Sequence, residues 1–371
     1  MECCQRPVAT AFADVAHEKD EMNLFENTDR KSEEGLSVDR EFYFQWHITQ
    51  ACNRRCAHCY HADYSANQDL GPEQLLTVAD KIALALTCWE KEGAVSITGG
   101  EPFIRSADVF AAVDRLTRCE AVKRIDILTN GSLLDDDNCR RIGERPVIRR
   151  VQLSLEGATE SNNDRIRGPG AFRQTLDAIR RLKRHRVTVS TMMTVSRSNL
   201  DQIESVLALL SNEGVDYFVF DRFIPEGQGE VLREHVLSKE EARDLYRAVY
   251  RWSKETSQPR VLVFRPLFCL FDSHDPNVGA MCSAGANALT VLHDGTLLPC
   301  RRLPLPLGNI LADNLNDVWY ASPVLWKLRN PSLMGGKCGA CDCLPICRGC
   351  RAMSMATSGD WLAEDPQCWK E

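Results

Sequence analysis

Three closely spaced cysteines, Cys52, Cys56 and Cys59, are the residues of this sequence best suited to chemistry. They form a C-x3-C-x2-C pattern directly after an apolar run over 42–48. Three thiolates this close together can hold one metal centre. They fall one ligand short of the set that a closed zinc site or a [4Fe–4S] cluster needs, so one metal position is left open to another molecule.

A second group of cysteines lies near the C-terminal end. Cys282 is followed by two apolar runs that flank Asp294-Gly295, a pattern that predicts a β-hairpin ending at Cys300. The other members of this group are Cys338, Cys341, Cys347, Cys350 and Cys368. So many thiols exceed the needs of one zinc ion. Iron–sulfur clusters are the preferred interpretation, and two zinc sites are the alternative.

Composition excludes several classes of protein. The chain has 17 cysteines in 371 residues, and because they cluster, metal–sulfur centres explain them better than disulfides do. A net charge of −7 argues against nucleic acid as a partner. No run approaches the roughly 18 apolar residues of a membrane span, and no apolar signal-peptide core is present. We therefore expect no membrane partner and a cytoplasmic location.

Short β-rich runs alternate with helical patterns between residues 41 and about 222. The predicted strands span 42–49, 94–98, 122–129, 147–155, 187–195 and 215–221, and the predicted helices between them span 72–89, 106–117, 135–142, 171–184 and 199–212. Such alternation is typical of an α/β fold with a parallel sheet. Six units are too few for a closed eight-fold barrel, so a partial (β/α)6 barrel is expected.

Four regions follow from these patterns. They are a polar N-terminal arm (1–40), the partial barrel (41–235), a bridging helix and strand (236–265) and a small cysteine-rich C-terminal domain (266–371). The last region is poor in periodic apolar residues, so metal clusters are expected to staple it together.

Polar or glycine-rich motifs follow several of the predicted strands. Gly99, Gly100, Glu101 and Pro102 come after the second strand, and Ser154 ends the fourth. Glycines let a backbone approach a ligand closely, and Glu101 can bind a cationic group. Because ligands bind at the carboxyl ends of parallel strands, these motifs and the cysteine triplet are expected to meet at one site.

At these residues the sequence resembles the radical S-adenosylmethionine (SAM) enzymes. The resemblance covers residues 42–222 and implies that Cys52, Cys56 and Cys59 bind three irons of a [4Fe–4S] cluster. The amino and carboxylate groups of SAM would then chelate the fourth iron. One departure is Glu156, which stands where many members of the family have aspartate.

The same resemblance implies further contacts to SAM. The segment formed by Gly99, Gly100, Glu101 and Pro102 matches the one that cradles the SAM amino group. Ser154 matches a polar residue near the ribose and carboxylate, and Arg167 is expected to pair with the carboxylate. No catalytic residue is assigned beyond the cluster.

The C-terminal cysteines resemble the SPASM domain, which carries auxiliary [4Fe–4S] clusters in radical SAM enzymes. This resemblance runs from 282 to 369 and implies two such clusters, hence three in the whole chain. The first would use Cys282, Cys300 and Cys350, with Cys269 or else Cys343 as an extra ligand, and the second would use Cys338, Cys341, Cys347 and Cys368. One departure is the two-residue spacing between Cys347 and Cys350, where the family usually has three.

The resemblance also implies a function. An electron donor such as flavodoxin or ferredoxin would drive cleavage of SAM to a 5′-deoxyadenosyl radical, which abstracts a hydrogen atom. Auxiliary clusters favour oxidation or cross-linking, for example thioether formation, in a ribosomally made peptide. A separate leader-binding protein or another surface is then expected to recognise the leader, because about 40 residues before the first strand are too few for a winged leader-binding domain.

Two other interpretations stay open from the sequence. The substrate can be a small molecule, such as a tetrapyrrole of the haem pathway or a cofactor precursor. The chain can also be a non-catalytic metal-binding or electron-transfer scaffold. Arg301 and Arg302 follow Cys300, where sulfatase-maturing relatives usually have an acidic base. These arginines either bind a carboxylate or an acidic peptide segment, or belong to a solvated surface.

Overall fold

The computed structural model of the protein describes residues 41–275 and 277–371, so the predicted N-terminal arm lies outside it. One sheet runs through the described chain. Its strands are Glu41–His47 (β1), Glu92–Thr98 (β2), Val122–Thr129 (β3), Ile148–Ser154 (β4), Val189–Val195 (β5), Tyr217–Arg222 (β6), Arg260–Val261 (β7), Ala288–Val291 (β8), Thr296–Leu298 (β9) and Gly308–Asn309 (β10). Their order in the sheet is β10-β9-β8-β1-β2-β3-β4-β5-β6-β7.

The helices cover the outer side of this sheet and the C-terminal region. They are Pro72–Cys88 (α1), Ser106–Leu116 (α2), Asp136–Gly143 (α3), Glu160–Arg167 (α4), Ala171–Arg184 (α5), Ile203–Asn212 (α6), Lys239–Glu255 (α7), Leu315–Ala321 (α8), Pro323–Arg329 (α9), Gly336–Gly339 (α10) and Arg351–Ser358 (α11). Among the described residues, no helix combines the length and the apolar character needed to cross a membrane.

Strands β1 to β6 pair in sequence order, and every one of these pairs is parallel. A helix connects each strand to the next. β1 and β6 are not neighbours in the sheet, so the barrel is open. This arrangement confirms the predicted partial (β/α)6 barrel.

The C-terminal region extends the sheet of the barrel instead of folding apart from it. β8 pairs in parallel with β1, and the Tyr43 amide donates a 2.8 Å hydrogen bond to the Asn287 carbonyl beside this pair. β9 then pairs antiparallel with β8, with Thr290 opposite Leu298. The hairpin predicted around Asp294-Gly295 is therefore confirmed, and it brings Cys300 to the edge of the barrel.

Alternation along β1 separates the core from the interior of the barrel. Phe42, Phe44 and Trp46 are fully buried against the helices, and they belong to one apolar core that also includes residues of β8 and β9. Successive side chains of a strand point to opposite faces. Tyr43 and Gln45 therefore face inward, where they line the cavity described below.

The bridging helix predicted within 236–265 is α7. Its first turn is closed by a capping box, in which Ser238 Oγ accepts from the Glu241 amide at 3.2 Å and Glu241 accepts from the Ser238 amide at 2.6 Å. This reciprocal pair satisfies two amides that the helix itself leaves without partners.

Candidate active site and metal centres

The cysteine triplet lies in the loop between β1 and α1, at the carboxyl end of the parallel strands. Cys56 is buried, and Cys52 and Cys59 are partly exposed; all three are free thiols. Backbone amides point at the sulfur atoms, from Arg54 to Cys52 Sγ and from His61 to Cys59 Sγ, each at 3.4 Å. Burial raises the pKa of the Cys52 and Cys56 thiols, and nearby negative charges raise it further. A bound cation would relieve both effects.

The Gly-Gly-Glu-Pro segment after β2 is joined to the triplet loop through its backbone. The Gly100 amide donates to the Thr49 carbonyl and the Glu101 amide to the Ala51 carbonyl, both at 2.8 Å. A Cβ atom at Gly99 would lie 2.4 Å from the Thr49 oxygen, and Gly99 also has a φ of +148°. Glycine is required here because the two loops approach so closely.

Replacement of Gly100 by alanine is expected to push the triplet loop away from β2. The new Cβ atom would lie 2.2 Å from the Ala51 carbonyl oxygen, which is backbone and has little room to move. Overpacking of this kind typically costs about 1–3 kcal/mol. Iron content after anaerobic reconstitution and SAM affinity by equilibrium dialysis should both fall. Gly71→Ala is the control, because its nearest atom is 3.6 Å away, and a G100A protein that bound SAM like the wild type would contradict this prediction.

The Glu101 side chain is held by the protein itself. It is fully buried and accepts from Thr129 Oγ at 2.7 Å, from the Asn130 amide at 2.8 Å and from the Phe103 amide at 3.1 Å. Gly99 and Gly100 line the cavity, whereas Glu101 and Pro102 are buried. In this structure the Glu101 carboxylate links the ends of β2 and β3, and its predicted contact with SAM stays a prediction.

Ser154, Glu156 and Arg167 meet at the end of β4, and all three line the cavity. Arg167 Nη1 lies 3.7 Å from Glu156 Oε1, and His58 Nε2 lies 3.5 Å from the same oxygen. Burial raises the pKa of Glu156 to about 7, although Arg167 opposes the shift. The glutamate at the position where relatives have aspartate thus contacts the arginine that the resemblance assigns to SAM.

Helix α4, which positions Arg167, was not predicted from sequence. Its signal is an N-cap, because Thr159 Oγ accepts from the Asn162 amide at 3.3 Å. The helix spans eight residues and is very polar, so it lacks the apolar periodicity on which the other helices were predicted. A capping signal alone would have found it.

A cavity of about 1560 Å³ fills the interior of the barrel. Its wall contains the cysteine triplet, inward-facing side chains of strands β1 to β6, and parts of the C-terminal region. Cys282, Cys300 and Cys350 lie on the same wall. The cavity therefore connects the triplet with the first group of C-terminal thiols.

The thiols predicted to hold the first auxiliary cluster converge on this wall. Burial raises the pKa of Cys300 to about 12 and also raises that of Cys350, and Cys282 adds to the shift of both. Cys300 follows β9, and Cys350 precedes α11, where its amide donates to Asp365 at 2.8 Å. Elements distant in sequence thus assemble a three-thiol site.

The cysteines predicted to hold the second auxiliary cluster lie in α10 and in the loops around α10 and α11. Cys338, Cys347 and Cys368 are buried, and Cys341 is partly exposed. Of the two candidates for an extra ligand of the first cluster, Cys269 lies beside Cys347 and raises the pKa of its thiol, and the Cys343 thiol lies within 4.8 Å of that of Cys341. Each candidate thus lies near a cysteine of the second group, and their assignment to the first cluster stays a prediction.

Comparison with known proteins agrees with this geometry. Residues 46–210 match the radical SAM superfamily, and residues 282–351 match the SPASM iron–sulfur cluster-binding domain. The chain belongs to the radical SAM superfamily and carries a C-terminal SPASM domain. It is an enzyme of this superfamily, with SAM and a [4Fe–4S] cluster as cofactors and auxiliary clusters in the SPASM domain. The free triplet, with amides aimed at its sulfur atoms, fits such a cluster.

Its relatives act on different kinds of substrate, as their names indicate. The AdoMet-dependent heme synthase of Methanosarcina barkeri is 30% identical over 87% of this chain and 95% of its own. The mycofactocin maturase MftC of Mycolicibacterium smegmatis is 28% identical over 89% of this chain and 83% of its own. The structure of anSMEcpe with bound AdoMet superposes with a TM-score of 0.69 at 18% identity, covering 88% of this chain and 94% of that one.

Proposed function

We propose that this enzyme binds SAM at a [4Fe–4S] cluster held by Cys52, Cys56 and Cys59 and oxidises a carboxylate-bearing substrate in the barrel cavity. When bound, the cluster and SAM supply an electron for SAM cleavage and a deoxyadenosyl radical that abstracts a hydrogen atom from the substrate. The protein supplies orientation and exclusion of water. The charge of the cavity wall is the observation that carries this proposal.

Basic side chains outnumber acidic ones on the cavity wall. The eleven basic ones are Arg54, Lys91, Arg124, Arg150, Arg167, Arg222, Arg265, Arg301, Arg302, Arg329 and Arg348, and the four acidic ones are Glu41, Asp126, Glu156 and Asp221. The whole chain, in contrast, has a net charge of −7. Asp365, which is buried behind the wall, neutralises Arg222. Bound clusters carry negative charge with their thiolates and would offset a further part of the surplus. The remainder favours an anionic ligand, because a cavity wall of one sign concentrates counter-charge.

A tetrapyrrole is the substrate that best matches this cavity. Haem and its precursors carry several carboxylates on a large macrocycle, and the heme synthase relative matches this chain over nearly its full length. Ordinary ligand sites measure about 300–1000 Å³. The cavity of about 1560 Å³ exceeds this range, as a site that must hold clusters, SAM and a large substrate requires. These observations favour a tetrapyrrole over the peptide that the sequence resemblance implied.

A ribosomally made peptide is the second candidate. The observation in its favour is the likeness to mycofactocin maturase, which also extends over most of both chains. A peptide with a free C-terminal carboxylate or acidic side chains would suit the same positive wall. A separate leader-binding protein belongs to this candidate.

The three thiols on the cavity wall favour oxidation over isomerisation. A substrate that has lost a hydrogen atom must also lose one electron to complete a two-electron oxidation. Cys282, Cys300 and Cys350 lie on the same cavity as the triplet, so an electron acceptor bound there would be close to the substrate. An electron donor such as flavodoxin or ferredoxin would serve the triplet cluster.

The experiment that tests this proposal supplies the reconstituted protein with SAM, dithionite and one of two substrates. One is an iron porphyrin with propionate side chains, and the other is a short peptide with a free C-terminus. We expect the porphyrin to raise the formation of 5′-deoxyadenosine and to lose mass as its side chains are oxidised. Stimulation by the peptide alone would favour the second candidate. If neither substrate changed the rate or its own mass, the proposal would be wrong.

A further inference from the structure

One arginine differs from all other cations on the cavity wall. Ten of the eleven basic side chains have a partner within the protein. Arg150 pairs with Asp126 at 2.9 Å, for example, and Arg265 pairs with Asp221 at 2.7 Å. The exception is Arg301.

The guanidinium of Arg301 has no hydrogen-bond acceptor or ion-pair partner within residues 41–275 and 277–371. Its Nε atom is buried and has no hydrogen-bond partner. Its central carbon lies 4.1 Å from the centre of the Tyr60 ring, so the flat group is held over an aromatic face. A cation–π contact compensates only part of the cost of removing a charge from water. The Arg301 guanidinium is therefore held in place by Tyr60 and has no anionic partner among the described residues.

The groups around Arg301 do not supply that anion. Burial, and then the charge of Arg301, lowers the pKa of His47 well below its usual value, so this imidazole is neutral. Burial raises the pKa of Glu226 to about 7, although Arg302 and Arg301 oppose the shift, and Glu226 forms no ion pair with Arg301 in the described chain.

Arg302, the next residue in sequence, does have partners for its guanidinium. Arg302 Nη2 lies 3.2 Å from Asp221 Oδ2, and Arg302 Nη1 donates to the Arg222 carbonyl at 3.3 Å. Of the two arginines that the sequence offered for carboxylate binding, the structure therefore leaves only Arg301 available.

Arg301 lies close in sequence or in space to both the cysteine triplet and the first auxiliary group of cysteines, and a substrate has to reach both. It follows Cys300 of the first auxiliary group, and its guanidinium covers Tyr60, which follows Cys59 of the triplet. A guanidinium presents two parallel N–H groups that match the two oxygens of a carboxylate. A carboxylate bound here would lie between the two groups.

We infer that Arg301 binds a carboxylate of the substrate and so fixes the substrate between the triplet and Cys300. This inference rests on the proposed function and makes it specific to one side chain. SAM also has a carboxylate, so the test must separate the two sources.

The test compares coproporphyrin, which carries propionate groups, with its methyl ester, which carries none. Porphyrin fluorescence gives the dissociation constant of each for the reconstituted wild type and for Arg301→Gln, Arg301→Lys and Arg251→Gln. Arg251 is exposed and lies 3.8 Å from Glu255, so R251Q removes the same charge far from the cavity. SAM affinity is measured in parallel by equilibrium dialysis.

We expect R301Q to weaken binding of the acid about 10- to 100-fold and to leave binding of the ester and of SAM unchanged. R301K should recover part of the loss, and R251Q should bind like the wild type. Weakened SAM binding in R301Q would assign the arginine to the SAM carboxylate and overturn the inference. If R301Q preferred the acid over the ester as strongly as the wild type does, the inference would be wrong and the proposed function would stand. If the wild type bound the acid and the ester equally well, both the inference and the proposed function would be wrong.

Discussion

Replacing Cys52, Cys56 and Cys59 together by alanine is expected to abolish SAM cleavage and to lower the iron content from about 12 to about 8 atoms per chain. The three thiols share one loop and form no disulfide, and the sulfur atoms of Cys52 and Cys59 accept hydrogen bonds from backbone amides. The cluster they hold is the one expected to bind SAM, so both losses should occur together. Iron and sulfide analysis after anaerobic reconstitution, with an assay for 5′-deoxyadenosine, measures both.

Two variants make this result specific. Cys119 is a partly exposed thiol whose sulfur contacts the Thr87 hydroxyl at 3.6 Å, away from the cavity wall, so Cys119→Ala should leave iron and SAM cleavage unchanged. Joint replacement of Cys282 and Cys300 should also remove about 4 irons but spare SAM cleavage in the absence of substrate. If the wild-type protein held only about 4 irons per chain, or held zinc in place of iron, the prediction of auxiliary iron–sulfur clusters would be wrong.

Asp365→Asn is expected to lower the free energy of unfolding by about 3–5 kcal/mol. The Asp365 carboxylate is fully buried and pairs with Arg222 at 2.8 and 3.0 Å. It also accepts from the Cys350 and Gln367 amides, at 2.8 and 3.0 Å. Arg222 ends β6, so this pair joins the barrel to the cysteine-rich region. The asparagine variant leaves the buried guanidinium of Arg222 without a counter-charge.

Urea denaturation of the cluster-loaded protein measures the effect. Asp137 and Arg140 provide the control, because both are more than half exposed, and Asp137→Asn should change stability by less than about 1 kcal/mol. In the double variant Arg222→Met/Asp365→Leu, apolar groups replace both charges, and much of the loss should be recovered. If D365N were as stable as the wild type, the pair would not join the two regions energetically.

Local patterns in the sequence predicted most of the barrel. The predicted strand 122–129 is β3 and the predicted helix 171–184 is α5, with the same ends in both cases. The other predicted strands differ from the observed ones by at most two residues at either end. Burial on one face leaves a periodic record in a sequence, and these elements are all buried on at least one face.

Elements with little apolar periodicity were missed. The polar helix α4 was not predicted, although it carries Arg167 into the cavity. The parallel pairing of β8 with β1 joins residues about 245 positions apart, and no local signal encodes such a contact. The same pairing explains why the C-terminal region shares one apolar core with the barrel and does not depend on metal clusters alone.

The sequence by itself was enough to place the chain in the radical SAM superfamily, because the spacing of Cys52, Cys56 and Cys59 resembles the cluster motif of that family, and the family models match the chain. Only the tertiary structure decided how the charges are used. Arg301 and Arg302 are identical in type and adjacent in sequence, yet Asp221 pairs with one and leaves the other facing the cavity without an acceptor in the described chain. Pairing of buried charges depends on distances between elements far apart in sequence, and those distances exist only after folding.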